Sequence, residues 1–202
     1  MKVGIIGAGG QARTSISLLE LNNYHIEGVF DDNYDAAAKV ELVDGYPLLD
    51  RIDTIPNELQ LVLAKGSIQP RIRLLEQFKA QFLKDNLIHP KAIVDSNNLG
   101  KSNQISALVF IAKTAKIGNH NIIYSQSSLE HETIIGDNNI VTVNVTLCGR
   151  VKIGNNCFLG ASCTVLPNLS ICDNVTIGAG AVVTKSIEIP GTYIGTPAVK
   201  IY

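Results

Sequence analysis

The chain has no tryptophan, a single methionine and only 5% aromatic residues among its 202 amino acids. Aliphatic side chains must therefore build its core. Charged residues are also scarce at 17%, below the usual quarter of a soluble domain. The 17 basic and 18 acidic residues nearly cancel, leaving a formal net charge of −1, so no general electrostatic pull draws the chain to nucleic acid or an anionic membrane surface. No apolar run approaches the roughly 18 residues that span a bilayer, and the short apolar stretch after Met1 is too brief for a signal peptide. The expectation is a cytoplasmic protein that enters no membrane and binds no nucleic acid. The four cysteines (Cys148, Cys157, Cys163, Cys172) include no CxxC pair and have no histidine at ligand spacing. That argues against a metal site or a disulfide framework and for small buried thiols.

What is present is a six-residue ruler. From Ile93 through Leu99, Ile105 and Ile111 to Ile177 and Val183, every sixth residue is Ile, Leu or Val over 16 successive positions. Six is a multiple of the strand period of two and not of the helical 3.6. One short strand and one corner per hexad satisfy it. Three hexads then close a triangular coil of 18 residues, and successive coils stack about 4.8 Å apart through backbone hydrogen bonds. The aliphatic position points into the prism. So does the position two before it, filled by compact residues such as Ala115, Ser127, Thr133, Val145, Cys157, Cys163 and Ala181. Exposed strand edges at the ends of such a solenoid need cover, which the N-terminal domain and the final Ile187–Tyr202 segment are expected to supply.

The first 88 residues follow a different pattern. Val3–Ile6 reads as a strand, Gln11–Leu21 as a helix, His25–Phe30 and Leu59–Leu63 as further strands, and Ile68–Phe82 as a second helix. This alternation predicts a small parallel βαβ sheet, a Rossmann-like half, over residues 1–88. The solenoid then occupies 89–202, the junction being marked by His89-Pro90. The first turn, Gly7-Ala8-Gly9-Gly10-Gln11-Ala12, is a Gly-x-Gly-x-x-Ala fingerprint in which glycines let the backbone approach a phosphate at a helix N-terminus. Asp31 and Asp32 follow about twenty residues later, where an acid grips a ribose or a base. The room available suits one mononucleotide, such as the handle of a nucleotide sugar, better than a dinucleotide; a purely structural glycine turn is the remaining reading.

Two histidines lie in the ruler region. His120 sits at a corner among polar neighbours and reads as solvated. His131, in Ser127-Ser128-Leu129-Glu130-His131-Glu132, stands two residues past a ruler position and projects from a corner. Lys113 and Gly149 stack on either side of it at 18-residue spacing. A glycine there leaves space for a substrate, and an adjacent carboxylate fixes the imidazole tautomer and supports its protonated form. From spacing alone His131 is either a general base or a hydrated surface residue.

Taken together, Gly7–Arg13, Phe30-Asp31-Asp32, His89-Pro90, Ser128–Glu132, Val151-Lys152-Ile153-Gly154, Cys157–Gly160, Val165–Asn168 and Ile194-Gly195-Thr196-Pro197-Ala198 give the chain a family likeness. It resembles, over essentially its whole length, the two-domain hexapeptide-repeat sugar acetyltransferases. These include the bacillosamine-pathway nucleotide-sugar N-acetyltransferases, the perosamine N-acetyltransferases and the sialic-acid O-acetyltransferase-like proteins. The resemblance implies a left-handed coil, a homotrimer with sites between adjacent prisms, and acetyl-CoA as co-substrate with no metal. It also implies a nucleotide-linked amino sugar as acceptor, most closely a UDP-4-amino-4,6-dideoxy sugar. It makes His131 the general base, with Glu132 or Glu130 as acidic partner. Gly149, Gly160, Ala161, Gly178, Ala179 and Pro197 would line the path of the cofactor, and Gly7, Gly9, Gly10, Gln11, Asp31, Asp32 and Gly66 would hold the sugar nucleotide. The chain departs from the family at Gln11 and Ile140, where relatives carry histidine, and at Tyr124, where asparagine is frequent. An isoleucine donates no hydrogen bond, so backbone N–H groups near Gly149 are expected to stabilise the oxyanion. O-acetylation of a sialic-acid-type sugar is the alternative within the class. A non-catalytic binding solenoid and a metal-dependent hydratase are the alternatives outside it.

Overall fold

The structure, a computed structural model, describes residues 2–34 and 42–201. It divides into two compact units, the first ending at Leu87 and the second beginning at Ile88. The first unit is built from β1 (Lys2–Ile6), α1 (Gly10–Leu21), β2 (His25–Phe30), β3 (Leu42–Val43), β4 (Tyr46–Asp50), β5 (Gln60–Leu63) and α2 (Ile68–Gln77). Its sheet has the order β3-β4-β2-β1-β5. The pairs β1–β2, β1–β5 and β2–β4 are parallel and only β3–β4 is antiparallel. Alternation along β1 sends Val3 and Ile5 into one core with Ala12, Ile16 and Leu19 of α1. Ile6 goes into the other core, with Leu74 of α2 and with Phe78 and Phe82. A helix thus covers each face, as a parallel sheet requires.

Two features differ from the sequence expectation. The second helix stops at Gln77 rather than Phe82. The chain leaves the helix to pair with the sheet: Leu61 donates its N–H to Gln81 and accepts from Leu83, which brings Phe82 alongside β5. The β3–β4 hairpin was not anticipated, although Asp44-Gly45 at its turn is a strong two-residue hairpin signal. Both turn residues adopt positive φ, 48° and 88°.

In the second unit the ruler becomes a left-handed parallel β-helix. Its short strands, most of them two residues long, stack into sheets of eight, six and four strands, the eight-stranded sheet including the C-terminal pair. Rows such as Ile123–Val141–Leu159 and Leu129–Leu147–Val165 pair in register and are fully buried. Each such side chain contributes about 1.5–3 kcal/mol on burial. The compact second positions, Ala115, Ser127, Thr133, Val145, Cys157, Cys163 and Ala181, are buried as expected. All four cysteines are free; Cys148 and Cys172 are only half-buried.

The first ruler position is a correction. Ile93 pairs with Phe110 and Val94 with Ile111, so Val94 takes the inward place and Ile93 is 59% exposed. The opening turn is one residue shorter than its successors, and the regular register holds from Leu99, which pairs with Ile117.

One inward column is polar. Asn103, Asn121 and Asn139 are completely buried. The side-chain oxygen of each accepts the backbone N–H of the residue 18 further on, at 2.7–2.8 Å, ending at Cys157. Their amide nitrogens donate to the carbonyls of Gly118, Gly136 and Gly154. From Asn103 to Cys157 each coil is stitched to the next by a satisfied amide, which is why polar side chains are tolerated inside the prism. At the C-terminus, Gly191–Ile194 adds to the eight-stranded sheet beside Val175–Ile177 and folds back through Val199–Lys200, covering that edge.

Candidate active site

The corner after Leu129 carries the acid-flanked His131. The imidazole of His131 lies over Gly149 of the following coil. A Cβ built on Gly149 would fall 2.4 Å from both Nε2 and Cε1, so only glycine fits beneath the ring. The two coils are joined here by the Arg150 N–H, which donates to the carbonyl of His131 at 2.9 Å. The other ring nitrogen, Nδ1, lies 3.2 Å from Oε1 of Glu132. The second oxygen of Glu132 accepts from Nε of Arg150, also at 3.2 Å, and its backbone N–H donates to Oγ1 of Thr114. The Arg150 guanidinium first, and His131 second, hold the Glu132 carboxyl below its ordinary value. An ionised Glu132 fixes the proton of the neutral ring on Nδ1 and leaves Nε2 as the basic atom over Gly149.

The carboxylate of Glu130, the other candidate partner, instead accepts from the Ser128 hydroxyl at 2.6 Å. Cys148 precedes Gly149, and its thiol is pushed up by burial and by Glu130, which suits a protonated side chain rather than a nucleophile. Beside the corner runs an open groove of about 480 Å³, lined by Lys116, Glu132, Ile134, Arg150, Lys152 and Asn168 among others. Sequence reasoning did not single out Arg150. Its signal was available, since it falls 18 residues after Glu132 and so stacks on it.

The proposed cofactor residues separate into two groups. Ala161 and Ala179 are exposed and lie 18 apart, on the corner before strand Thr164–Val165 rather than the one carrying His131. The face bearing Ser128, Thr146 and Thr164 separates the two corners. Gly160 and Gly178 answer to packing. A Cβ on Gly160 would meet the Ala179 nitrogen at 2.5 Å, and one on Gly178 would meet Ile194 at 2.7 Å. Pro197 is exposed in the turn of the C-terminal hairpin. Ile140 lies in the eight-stranded sheet between Ile122 and Phe158, 1% exposed, on a different face from the His131 corner. Within one chain it does not stand beside the base. His120 is half-buried rather than solvated.

In the first unit, Gly7 has φ 113° and a Cβ there would sit 2.6 Å from the Ala64 carbonyl, so this glycine is demanded by the fold. Gly9, Gly10 and Gly66 face open space instead. Gly9 caps α1 without a side-chain hydrogen bond, leaving the helix N-terminus available to an anion. The turns after β1 and β5 are adjacent at the point where the strand order reverses, the usual ligand crevice of an open α/β sheet.

Asp31 is the more enclosed of the two acids. It is 4% exposed. Oδ2 accepts from the Ala8 N–H and from Nζ of Lys65, and Oδ1 accepts from the Asn33 N–H. Both oxygens help to shape the turn, and Asp32 is the acid left on the surface, 3.6 Å from Arg73. Gln11 is buried with its amide toward the Ser15 hydroxyl.

Among the described residues no three or more His, Cys, Asp or Glu side chains are grouped to hold a metal ion, and no helix is long and apolar enough to cross a membrane. A hexapeptide coil with an acid-held histidine on a corner, preceded by an α/β unit with an open glycine turn, defines an acyltransferase of the left-handed β-helix class. Residues 2–78 match the family described as PglD N-terminal domain, and residues 150–185 match the bacterial transferase hexapeptide family. The two matches fall one in each unit, the arrangement of the two-domain hexapeptide-repeat sugar acetyltransferases, which the chain resembles.

No curated protein matches the chain. Among solved structures it is similar to a histidine-to-asparagine mutant of perosamine N-acetyltransferase from Caulobacter crescentus, in complex with CoA and GDP-perosamine. The identity is 28% and the TM-score 0.90, covering all of this chain and 97% of that one. It is also similar to PerB from the same organism with the same ligands, at 28% identity and TM-score 0.86, covering 100% and 98%. The acetyltransferase domain of PglB from Neisseria gonorrhoeae shares the fold at 23% identity and TM-score 0.88, with 99% of each chain covered.

Proposed function

We propose that the protein transfers the acetyl group of acetyl-CoA to the amino group of a nucleotide-linked amino sugar, directly and without an acyl-enzyme. Acetyl-CoA supplies the thioester whose carbonyl the amine attacks, with release of the CoA thiol. His131 takes the amine's proton on Nε2, and Glu132 on Nδ1 supports the imidazolium that forms. The Gly149 N–H is assigned to a developing oxyanion, since the N–H groups of Cys148 and Arg150 bond the carbonyls of Val165 and His131. The observation that carries the reading is the stacking of His131 on Gly149 with Glu132 on its far nitrogen.

The sugar nucleotide is assigned to the glycine turn, where Gly9, Gly10 and Gly66 leave room for phosphate. CoA is assigned to the coil, along Gly149 and the exposed Ala161 and Ala179. The resemblance to bacillosamine-pathway enzymes favours a UDP-linked 4-amino-4,6-dideoxy sugar, and the relatives at 28% identity are crystallised with GDP-perosamine. We further propose a homotrimer, supported by the exposed apolar side chains Ile134, Val143 and Leu166 on the coil exterior.

The test is thiol release from acetyl-CoA against UDP-, dTDP- and GDP-linked amino sugars, with a sialic acid included. Turnover of one amino sugar is expected, with kcat lowered about 10²-fold or more in His131→Ala, the scale of a general base. Turnover of the sialic acid alone, or an active His131→Ala enzyme, overturns the reading. Light scattering reads the assembly, with three chains of 21.7 kDa expected.

A further inference from the structure

Glu132 has two oxygens and a single imidazole to orient. A glutamate half-exposed on a corner is free to swing, and one hydrogen bond to a ring nitrogen does not hold it. Here the second oxygen is held by Nε of Arg150 at 3.2 Å, while the first faces Nδ1 of His131 at 3.2 Å. Arg150 is anchored in turn, because its backbone N–H bonds the carbonyl of His131 itself. The adjacent residues Gly149 and Arg150 thus supply the floor under the ring and the clamp on its acid. Resting on the reading above, we propose that Arg150 is a positioning residue, its guanidinium keeping the Glu132 carboxylate aimed at Nδ1 so that Nε2 stays the free base.

The corner conformation is an independent sign. Glu132 and Arg150 adopt φ of 60° and 63°, in the left-handed region. Of the other non-glycine coil corners in that region, residues 138, 144, 156, 168 and 174 are asparagine, which visits it most easily, while 102 and 162 are serine, 108 leucine, 120 histidine and 126 glutamine. Among the described residues of the coil, Glu132 and Arg150 are the only Asp, Glu, Lys or Arg side chains placed there. They stand on successive coils, beside the one histidine with a stacked glycine. A long charged side chain held in a costly backbone conformation points to a site that needs it. The other acid flanking His131, Glu130, is committed to Ser128. Lys116 and Lys152 line the same groove, but it is Nε of Arg150 that meets the carboxylate, from a planar guanidinium more rigid than an ammonium.

The full-length protein carries the test, as wild type, Arg150→Gln, Arg150→Lys, Glu132→Gln and the Arg150→Gln/Glu132→Gln double variant, assayed with acetyl-CoA and the acceptor the wild type turns over. Arg150→Gln is expected to lower kcat about tenfold, the order that a small misalignment of a catalytic group costs. KM for both substrates should stay within about twofold, as for an interaction realised in the transition state. Arg150→Lys should recover part of the loss. In the Glu132→Gln background the Arg150→Gln change should cost nothing further. The ¹⁵N shifts of the His131 ring at neutral pH give a reading apart from turnover: mainly Nδ1–H in the wild type, a tautomer mixture in Arg150→Gln. Unchanged kcat, a rise in KM at constant kcat, multiplying losses in the double variant, or an unchanged tautomer ratio each overturn the role. Melting temperature should not move, since an exposed ion pair adds at most about 1 kcal/mol. If the wild type acetylates no acceptor, the functional reading fails, and the ring shifts still decide whether Arg150 sets the tautomer.

Discussion

Gly149 and His131 occupy one column of the prism on successive coils, and the ring of the second fills the place where a side chain of the first would stand. Gly149→Ala would put a methyl group 2.4 Å from Nε2. The imidazole would have to rotate away, and with it the bond to Glu132. We predict a fall in kcat of about 10²-fold, as a misplaced catalytic group produces, with the fold intact by circular dichroism. Full activity in this variant would show that the ring does not work from the position observed.

The asparagine column predicts stability rather than activity. Asn121→Ala would leave the Asn139 N–H and the Gly136 carbonyl without their partners inside the prism. A buried polar group stripped of its partner costs roughly 1–3 kcal/mol, so a loss of about 3 kcal/mol is expected by denaturant melting. Asn97→Ala, at a surface position before the regular coils, should change little. Equal effects of the two would contradict the ladder as a structural element.

Asp31 gives a pH dependence. Its burial alone would raise the carboxyl, but the hydrogen bonds from Lys65 and from the Asn33 and Ala8 N–H groups outweigh burial and bring it below its ordinary value of 3.8. A carboxylate lowered in the folded state contributes stability that is full above its unfolded value and is lost as pH falls through the folded one. The melting temperature of the wild type should therefore decline more steeply than that of Asp31→Asn below about pH 4. The variant itself should be less stable at neutral pH by about 1–3 kcal/mol. Parallel curves for the two proteins would remove Asp31 from its place in the turn.

The inner cysteines should be silent until the prism opens. Burial pushes the thiols of Cys157 and Cys163 up to about 11 and about 12, and a thiol reagent attacks the thiolate. In native protein at pH 8 only the half-buried Cys148 and Cys172 are expected to react, with the other two appearing in denaturant. Rapid native labelling of all four would place the inward positions elsewhere.

The coil was legible because an uninterrupted period of six has few physical solutions, and the same period located His131 and its glycine floor. What escaped lay where spacing stops carrying information. Ile93 satisfies the ruler in sequence, yet Val94 takes the inner place, because the opening turn is a residue short. Asp31 sits where a ligand acid is expected, but a fingerprint does not reveal that Lys65, far along the chain, comes to spend its charge. Arg150 was overlooked for the opposite reason. The stacking rule placed it on Glu132, and attention to histidine and glycine alone passed it by. The choice between Glu130 and Glu132 needed side-chain directions, which adjacent positions on one corner do not disclose.

Because base and floor belong to different coils, the site has an address rather than a local sequence. One whole extra coil of 18 residues, inserted after the Glu132 turn and kept in phase with the ruler, would preserve every inward residue and every stacked strand. It would also carry Gly149 and Arg150 one storey away from His131. Lengthening the solenoid there would part the two halves of the proposed site without disturbing its masonry, whereas a coil added beyond Asn168 would leave the pair in contact.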